Sequence, residues 1–430
     1  MGSVDGYDAI TWAVLAAFAS ANLLVLFAAS ERGAPIRRWA LRQLKRITRR
    51  SDLDWFDWLP VWVGGVAIFS TVAAYGLLSG QYACSPASDA FGLVASGRAF
   101  WAGQNPFTAS ICGGSHEVPY GLAAVLIDAL GSLGGIVGIY AIWGLVAFAT
   151  VPLAWSLAGA DRRWVMAYLA SSVLLVPLVS TQIDGATNAL VPATVLLSLV
   201  LARRRERAAA VVGGFLSTAR FPNVFPLLGM AGAQRRSRYG SFALIALTFG
   251  AISLLSYLHW GMQFLGPVFL DQLGRRSFSL NFYGVLLFGN ALPSTVWVEG
   301  VQSALTIALV LVVFAKVRSP LLSAALTLTG LALLTPFLSY NILVWLLPVA
   351  LVGPRARWWL WGIAVVGSVN YDLAYIIWAS VDGLTWPSAL LDVVLTGLLV
   401  GLFIDLWRQA GADTGTPAWE GLSAPADPVR

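Results

Sequence analysis

Apolar runs long enough to cross a membrane recur along most of the chain and are separated by short stretches that carry arginine and lysine. A membrane-spanning helix needs about 20 consecutive apolar residues. The weakest candidate is 341–352, because it is short and contains Pro348. The pattern predicts spans at 9–29, 59–79, 136–158, 164–180, 187–202, 239–258, 300–316, 320–336, 341–352, 358–379 and 388–406.

Two further apolar segments do not fit as simple spans. The segment 119–130 is too short and is predicted to lie at the outer interface or to dip into it. The segment 208–231 lies between two basic clusters and is interrupted by Arg220, Phe221 and Pro222. It is predicted to re-enter the membrane or to form two short helices, because irregular backbone at that depth must be covered by protein or by a watery cavity.

The charge pattern gives these helices an orientation. The chain is 58% hydrophobic and 11% charged, whereas a soluble domain carries roughly 25% charged residues. The net charge of +6 does not indicate nucleic-acid binding, because the cations form short clusters between apolar runs. With an external N-terminus, an internal C-terminus and about eleven crossings, every cluster can face the cytoplasm, as the positive-inside rule expects. The clusters are 37–50, Arg162 and Arg163, 203–207, 235–238, Lys316 and Arg318, Arg355 and Arg357, and Arg408.

The predicted fold class is therefore an all-α polytopic membrane protein with about 11–13 transmembrane helices, external loops and short interfacial helices. Residues 1–58 are expected to hold one transmembrane helix and a basic cytoplasmic helix on anionic lipid headgroups, although the basic stretch could equally serve only as a topology anchor. Residues 59–408 form the main transmembrane domain. Residues 409–430 are rich in Gly, Pro and Ala and are expected to be a disordered cytoplasmic tail.

The longest hydrophilic external segment is 80–118, and it carries both cysteines of the chain, Cys84 and Cys112. Two cysteines in one extracytoplasmic segment suggest a disulfide, because that compartment permits it. Two free thiols are the alternative. The same segment carries His116 and Glu117, which are candidate substrate-binding groups.

Polar groups of the other external segments could converge with this one on one face of the membrane. Such groups are costly near a bilayer and are therefore functional candidates. The candidate substrate-binding residues outside 80–118 are Gln182, Asp184, Asn188, His259, Tyr340 and Asn341.

Asp89 is the candidate catalytic group. It stands at the outer boundary before a helix-like run, where a carboxylate could accept a proton from a sugar hydroxyl, and burial would raise its pKa toward that task. The alternative is that Asp89 only caps the helix that begins at Ala90. Asp52 and Asp54 resemble a metal-binding pair, but they follow a basic cluster and are expected to be cytoplasmic. No metal site is predicted.

Three arginines are candidate binding groups for a lipid phosphate. Arg275 and Arg276 break the positive-inside pattern and could form paired, charge-assisted hydrogen bonds with a phosphate, or they could snorkel to the interface. Arg220 lies inside an apolar segment, so it should have an anionic partner, either a protein carboxylate or a lipid phosphate.

The order of these features resembles the GT-C superfamily of membrane glycosyltransferases, in particular the enzymes related to the phosphatidylinositol-mannoside mannosyltransferases. Four stretches carry the resemblance and together span most of the chain. They are SDAFGLVASGRAFWAGQNPF, at 88–107; TQIDGATNALVPATVLLSLVLARRRERAAAVVGGFLSTARFP, at 181–222; RRSFSLNFYGVLLFG, at 275–289; and TPFLSYNILVWLLPVAL, at 335–351.

The resemblance implies an inverting transfer of a sugar, mannose first, from a polyprenyl-phosphate carrier to a lipid-linked or glycan acceptor. Asp89 would be the general base. The activity would lie in a plasma-membrane protein, on the extracytoplasmic side, with membrane lipids, the lipid-linked donor and the acceptor as partners and no nucleic acid. The donor is a co-substrate, no cofactor is expected, and metal dependence is not implied.

Three alternatives remain open at this point, and one of them is an assembly subunit without catalytic activity. The donor could carry a pentose such as arabinofuranose. A lipid or sugar flippase or transporter would also need a membrane cavity with ionisable residues, but it should place its charges near the midplane and show repeat symmetry.

Overall fold

The structure is a computed structural model, and it describes residues 35, 89–108, 110–111, 114–115, 120–158, 187–203, 205–234, 237–270, 295–335, 338, 340–380 and 386–412. The predicted spans 9–29, 59–79 and 164–180 lie outside these residues, as do the basic helix at 36–50 and the tail beyond residue 412.

The described chain is built almost wholly from helices. Its α-helices are α1 (Asp89–Trp101), α2 (Leu122–Ser132), α3 (Gly135–Ala158), α4 (Leu190–Ala202), α5 (Glu206–Ser217), α6 (Val224–Ala231), α7 (Arg238–Trp260), α8 (Met262–Leu265), α9 (Thr295–Lys316), α10 (Pro320–Leu334), α11 (Pro354–Ser380) and α12 (Trp386–Ala412). The 3-10 helices are Pro106–Thr108, Thr187–Ala189, Phe221–Asn223 and Tyr340–Leu351, and Gly266–Leu270 is a π-helical turn. Strands β1 (Ser110–Ile111) and β2 (Gly114–Ser115) pair antiparallel, with Ser110 opposite Ser115.

Most of the apolar runs within the described residues form helices close to the predicted bounds. The predicted spans at 136–158, 187–202, 239–258, 300–316, 320–336, 358–379 and 388–406 correspond to α3, α4, α7, α9, α10, α11 and α12. Of the described helices, Arg238–Trp260 and Ala389–Ala412 are long and apolar enough to cross a membrane. Helix α12 continues to Ala412, so the predicted start of the tail at residue 409 is wrong by one helical turn.

The predicted span at 341–352 differs from the other spans in the type of its helix. Tyr340–Leu351 is a 3-10 helix, and its residues from Leu343 to Ala350 are buried. It packs against α4, α10 and α11, so its apolar character comes from burial in the protein core. Pro348 has no backbone N–H to donate, which weakens an α-helical ladder here.

Both irregular segments form short helices, and for 208–231 this is one of the two predicted arrangements; their position relative to a membrane stays a prediction. Helix α2 has 11 residues and is therefore about 16 Å long, about half the thickness of a bilayer core. The segment 208–231 forms α5 and α6, and the 3-10 turn Phe221–Asn223 separates them.

One large hydrophobic core joins α4, α6, α10, α11, α12 and the 3-10 helix Tyr340–Leu351. A second cluster joins α1, α2 and α3, with Trp143 and Ile139 among its most buried side chains. A third cluster is aromatic and joins Phe107 to Phe264 and Val268.

Two arginines at helix ends contact the ends of neighbouring helices. The Arg203 side chain, after α4, donates a hydrogen bond to the carbonyl oxygen of Ser156 near the end of α3 (2.9 Å). Arg238, at the start of α7, lies over the ring of Phe314 near the end of α9. The other end of α7 contacts the segment after α1, where Phe107 packs edge-on against Trp260 with a centroid distance of 5.2 Å.

The loop before α2 approaches the break between α5 and α6 more closely than any side chain would allow. The backbone N–H of Gly121 donates to the carbonyl oxygen of Ala219 (3.0 Å). A Cβ at Gly121 would collide with the carbonyl oxygen of Thr218. Glycine is therefore required at residue 121 by contact with another backbone segment.

We expect Gly121→Ala to lower the free energy of unfolding by about 1–3 kcal/mol, because the two backbone segments must separate to admit the methyl group. The matched control is Gly250→Ala in α7, where a Cβ meets nothing within 4 Å and alanine favours the helix. Thermal unfolding of the purified proteins in detergent measures both. Equal midpoints for the two variants would contradict the proposed close approach.

Candidate functional site

Arg220 stands at the break between α5 and α6. Helix α5 ends at Ser217, and the backbone of Arg220 is extended, with φ −145° and ψ 115°. Pro222 follows in the first turn of the 3-10 helix, where its missing N–H and fixed φ prevent α5 from continuing. The sequence therefore places one cation at a point where the chain must change direction.

Two aromatic rings flank the Arg220 guanidinium. Its Cζ atom lies 5.4 Å from the centroid of Tyr120 and 5.6 Å from the centroid of Trp345. Each contact falls within the range for a cation–π interaction and contributes about 0.5–2 kcal/mol, more where water is excluded. The pair of rings holds the cation between the loop before α2 and the 3-10 helix Tyr340–Leu351.

Asn188 fixes one of these two rings. The indole Nε1–H of Trp345 donates a hydrogen bond to Asn188 Oδ1 at 3.1 Å, and both side chains are buried. Asn188 lies in the 3-10 turn that precedes α4. Two residues that the sequence predicts for the site, Arg220 and Asn188, are thus joined through Trp345, which the sequence pattern did not single out.

Two segments that the sequence places outside the membrane contact each other. The Asn105 side chain, shortly after α1, donates a hydrogen bond to Gln263 Oε1 in α8 (2.8 Å). His259 is exposed at the end of α7, and its ring lies edge-on to Trp260 at 4.6 Å. His259 therefore lies beside Trp260, whose ring packs on Phe107.

Asp89 is the first residue of α1. This position agrees with the predicted helix start within one residue, which is the ordinary uncertainty of a helix end. Both interpretations of Asp89, as a base and as a cap, remain predictions. Tyr340 and Asn341 open the buried 3-10 helix. The other predicted residues lie outside the described part of the chain: Cys84, Cys112, His116, Glu117, Gln182, Asp184, Arg275 and Arg276.

Asp128 is a buried carboxyl that the sequence pattern did not single out. It lies on α2, and Trp143 of α3 donates its indole N–H to Asp128 Oδ1 at 2.9 Å. Burial raises the pKa of Asp128 well above its ordinary value, and the hydrogen bond from Trp143 offsets only part of this rise. The sequence did contain a signal that could have identified it, because Asp128 is an ionisable residue inside the apolar segment 119–130.

The described residues contain no group of three or more His, Cys, Asp or Glu side chains arranged to hold a metal ion. The expectation that no cofactor is needed stays a prediction.

Comparison with models of known protein families gave no match, and comparison with curated protein sequences gave no significant match. The resemblance to GT-C glycosyltransferases therefore depends on the four quoted stretches, and the activity that it implies is a proposal.

We expect the contribution of Asp128 to the free energy of unfolding to fall as pH rises above about 4, because folded Asp128 keeps its proton while the unfolded chain releases it. This loss of unfolding free energy ends once pH passes the raised pKa of folded Asp128. Each unit by which the pKa of Asp128 differs between the folded and unfolded chain corresponds to about 1.4 kcal/mol. Asp128→Asn keeps an acceptor for Trp143 and should remove this contribution, so it should be more stable than wild type at neutral pH. Thermal unfolding between about pH 4 and pH 8 measures both curves; parallel curves would refute the assignment.

Proposed function

We propose that this chain is a polytopic membrane glycosyltransferase of the GT-C type. It transfers a sugar, with mannose as the first candidate, from a polyprenyl-phosphate carrier to a lipid-linked or glycan acceptor outside the cytoplasm. The observation that carries this proposal is the Arg220 guanidinium, held between Tyr120 and Trp345 at the break in the chain.

The grouping of basic helix ends supports the proposed orientation. Arg203 reaches the end of α3, and Arg238 reaches the end of α9. Under the positive-inside rule these ends face the cytoplasm. The opposite end of α7, with Trp260, then faces outward together with the segment that contains Phe107.

This orientation puts Arg220 away from the cytoplasmic surface. Helix α5 starts one residue after Arg205 and has 12 residues, so it carries the chain about 18 Å from the basic turn before the break. A guanidinium at such a depth favours an anionic group, and a phosphate can accept paired, charge-assisted hydrogen bonds from it. The phosphate of a lipid carrier is the anion that reaches this depth while its chain stays in the bilayer.

The proposed reaction needs a base and a site for the leaving phosphate. The Asp89 carboxylate takes the proton of the acceptor hydroxyl, and the acceptor oxygen attacks the anomeric carbon of the donor sugar. The bond between that carbon and the phosphate oxygen breaks, the configuration inverts, and the polyprenyl phosphate leaves beside Arg220. Positioning of both substrates in one site supplies much of the rate, and the cation stabilises the charge that develops on the phosphate.

One observation favours a transporter as the second candidate. Asn370 of α11 donates a hydrogen bond to Asp392 of α12, and both side chains are buried. Ionisable groups inside a membrane-spanning bundle mark ion and proton pathways in pumps and transporters. A flippase would move the intact lipid-linked sugar across the bilayer and release no free carrier phosphate, which separates the two functions in one assay.

We expect Asp89→Asn to reduce transfer by about 10²–10⁴-fold, because the amide cannot accept the hydroxyl proton. The measurement is the transfer of radiolabelled mannose from polyprenyl-phosphate-mannose to membrane glycolipid acceptors by the purified full-length chain. The control, Asp405→Asn, changes a carboxylate of α12 that accepts a hydrogen bond from Gln409 and should leave transfer unchanged. Wild-type turnover in Asp89→Asn would exclude Asp89 as the base.

We expect Arg220→Ala to weaken binding of polyprenyl phosphate by about tenfold or more, because the charge-assisted contacts to the phosphate are lost. Arg238→Ala is the matched control, since Arg238 also lies over two aromatic rings, those of Tyr239 and Phe314. Competition against the labelled donor measures both affinities. A phosphate affinity that falls equally in the two variants would contradict a specific role for Arg220.

A further inference from the structure

A buried amide and a buried carboxyl join the two long helices α11 and α12. The side-chain amide of Asn370 donates a hydrogen bond to Asp392 Oδ1, and both side chains are 0% exposed. The other carboxyl oxygen, Asp392 Oδ2, is also buried and has no hydrogen-bond partner among the described residues. We call these two residues the carboxyl pair. Its second oxygen is left to bind a further atom.

The surroundings of the carboxyl pair are apolar. A Cβ at Gly367, about one helical turn along α11 from the pair, would contact Leu343 and would lie 4.0 Å from Leu395 Cδ2. Leu395 is on the turn of α12 that follows Asp392 and is 0% exposed. The Thr396 hydroxyl donates to the backbone carbonyl oxygen of Asp392 at 2.7 Å. That hydroxyl is therefore engaged by the backbone.

The elements that pack against α12 provide no nearby cation within the described residues. Helix α12 packs against α10 and α11, and α10 carries no titratable residue. With a rise of about 1.5 Å per residue, Arg357 lies about 20 Å from Asn370 along α11, and Arg408 lies about 24 Å from Asp392 along α12. The other titratable residues of α11, α12 and the adjoining 3-10 helix are Tyr340, Arg355, Tyr371, Asp372, Tyr375 and Asp405. Of these, Arg355 is the one cation, and it is farther along α11 than Arg357.

The carboxyl pair lies toward the outer ends of its helices in the proposed orientation. Asn370 is about 24 Å along α11 from the basic end at Pro354, and about 15 Å from the other end. Asp392 is about 9 Å along α12 from Trp386, and about 30 Å from the end that carries Arg408. The positive-inside rule places the basic ends in the cytoplasm. The pair is therefore nearer to the extracytoplasmic surface.

A proton is the ligand that this arrangement can accept without a cavity. A buried carboxylate that has no cation beside it is costly, because its charge loses the hydration that it has in water. A proton on Asp392 Oδ2 removes the charge and leaves the hydrogen bond from Asn370 to Oδ1 in place. A protonated carboxyl group keeps an acceptor oxygen for the amide.

We propose that the carboxyl pair is a proton-binding site that exchanges its proton with the extracytoplasmic side. Asp392 Oδ2 holds the proton, and Asn370 orients the carboxyl group through Oδ1. This inference goes beyond the proposed function, because it does not depend on sugar transfer. Loss of the proton puts an unbalanced charge between α11 and α12, so the pH outside governs how firmly these two helices pack.

Infrared spectroscopy of the purified full-length chain in lipid vesicles detects the proton, because a carboxylic acid and a carboxylate absorb at different frequencies. The measurement is made at about pH 6, where an aspartate in water is about 99% ionised. Wild type should show a carboxylic-acid band that Asp392→Asn lacks. The matched control, Asp405→Asn of the same helix, should keep this band. Asp128→Asn should remove a different band.

Two further measurements test the hydrogen bond and the sidedness. Asn370→Ala should keep the Asp392 band and shift it to higher frequency, because the carbonyl oxygen loses the hydrogen bond from the amide. In sealed vesicles with the chain inserted in one orientation, the band should titrate with the pH on the extracytoplasmic side. Above the midpoint, its intensity should fall by about tenfold per pH unit.

Each outcome decides for or against the site, whether or not the protein transfers a sugar. If wild type shows no band at about pH 6 that depends on Asp392, the carboxyl pair binds no proton and the proposal is wrong. If the band follows the pH on the cytoplasmic side, the outward assignment is wrong. If Asp392→Asn does not fold, the comparison of wild type with Asn370→Ala decides, and an unshifted spectrum overturns the proposal.

Discussion

In the proposed membrane orientation, the break between α5 and α6 must be covered by protein, because exposed backbone polar groups and a guanidinium are costly in an apolar environment. Two neighbouring segments of the described structure contact the break. Gly121 brings a second backbone segment against the break and satisfies the carbonyl oxygen of Ala219. The rings of Tyr120 and Trp345 both contact the Arg220 guanidinium. A loop, a broken helix and a 3-10 helix from distant parts of the sequence are thus held at one point by a single side chain.

The described chain carries large apolar side chains on its surface and polar side chains in its interior. Helices α7 and α9 expose large apolar side chains along much of their length, for example Leu247, Leu258 and Leu311. Buried polar groups occur between the helices, for example Asp128 of α2, which accepts a hydrogen bond from Trp143 of α3, and Asp392 of α12, which accepts one from Asn370 of α11. An apolar exterior around a polar interior is what a lipid environment requires, and it agrees with a substrate whose tail stays in the bilayer while its head enters the protein.

Hydropathy predicted the helices well, because most of the apolar runs in the described chain are helical. It did not predict the 3-10 helix Tyr340–Leu351 or its burial, since an apolar run has the same hydropathy whether its residues face lipid or the protein core. The break at Arg220 was predictable from Pro222 and the cation inside an apolar segment. The sequence did not predict the contact of Arg220 with Trp345 or the hydrogen bond from Trp345 to Asn188. Each of these pairs is separated by more than 100 positions in the sequence, so its contact follows from the packing of the whole molecule. Asp128 was missed for the same reason, since its significance comes from its burial against Trp143.

Sidedness is the central claim, and fusion of alkaline phosphatase, which is active only outside the cytoplasm, tests it most directly. The fusion points are Gly103, exposed after α1, and Arg205, exposed before α5. The proposed orientation predicts an active reporter after Gly103 and an inactive one after Arg205, with the reverse pattern for a fluorescent protein that folds only in the cytoplasm. Phosphatase activity after Arg205 and none after Gly103 would place the arginine site on the cytoplasmic side and contradict the proposed orientation.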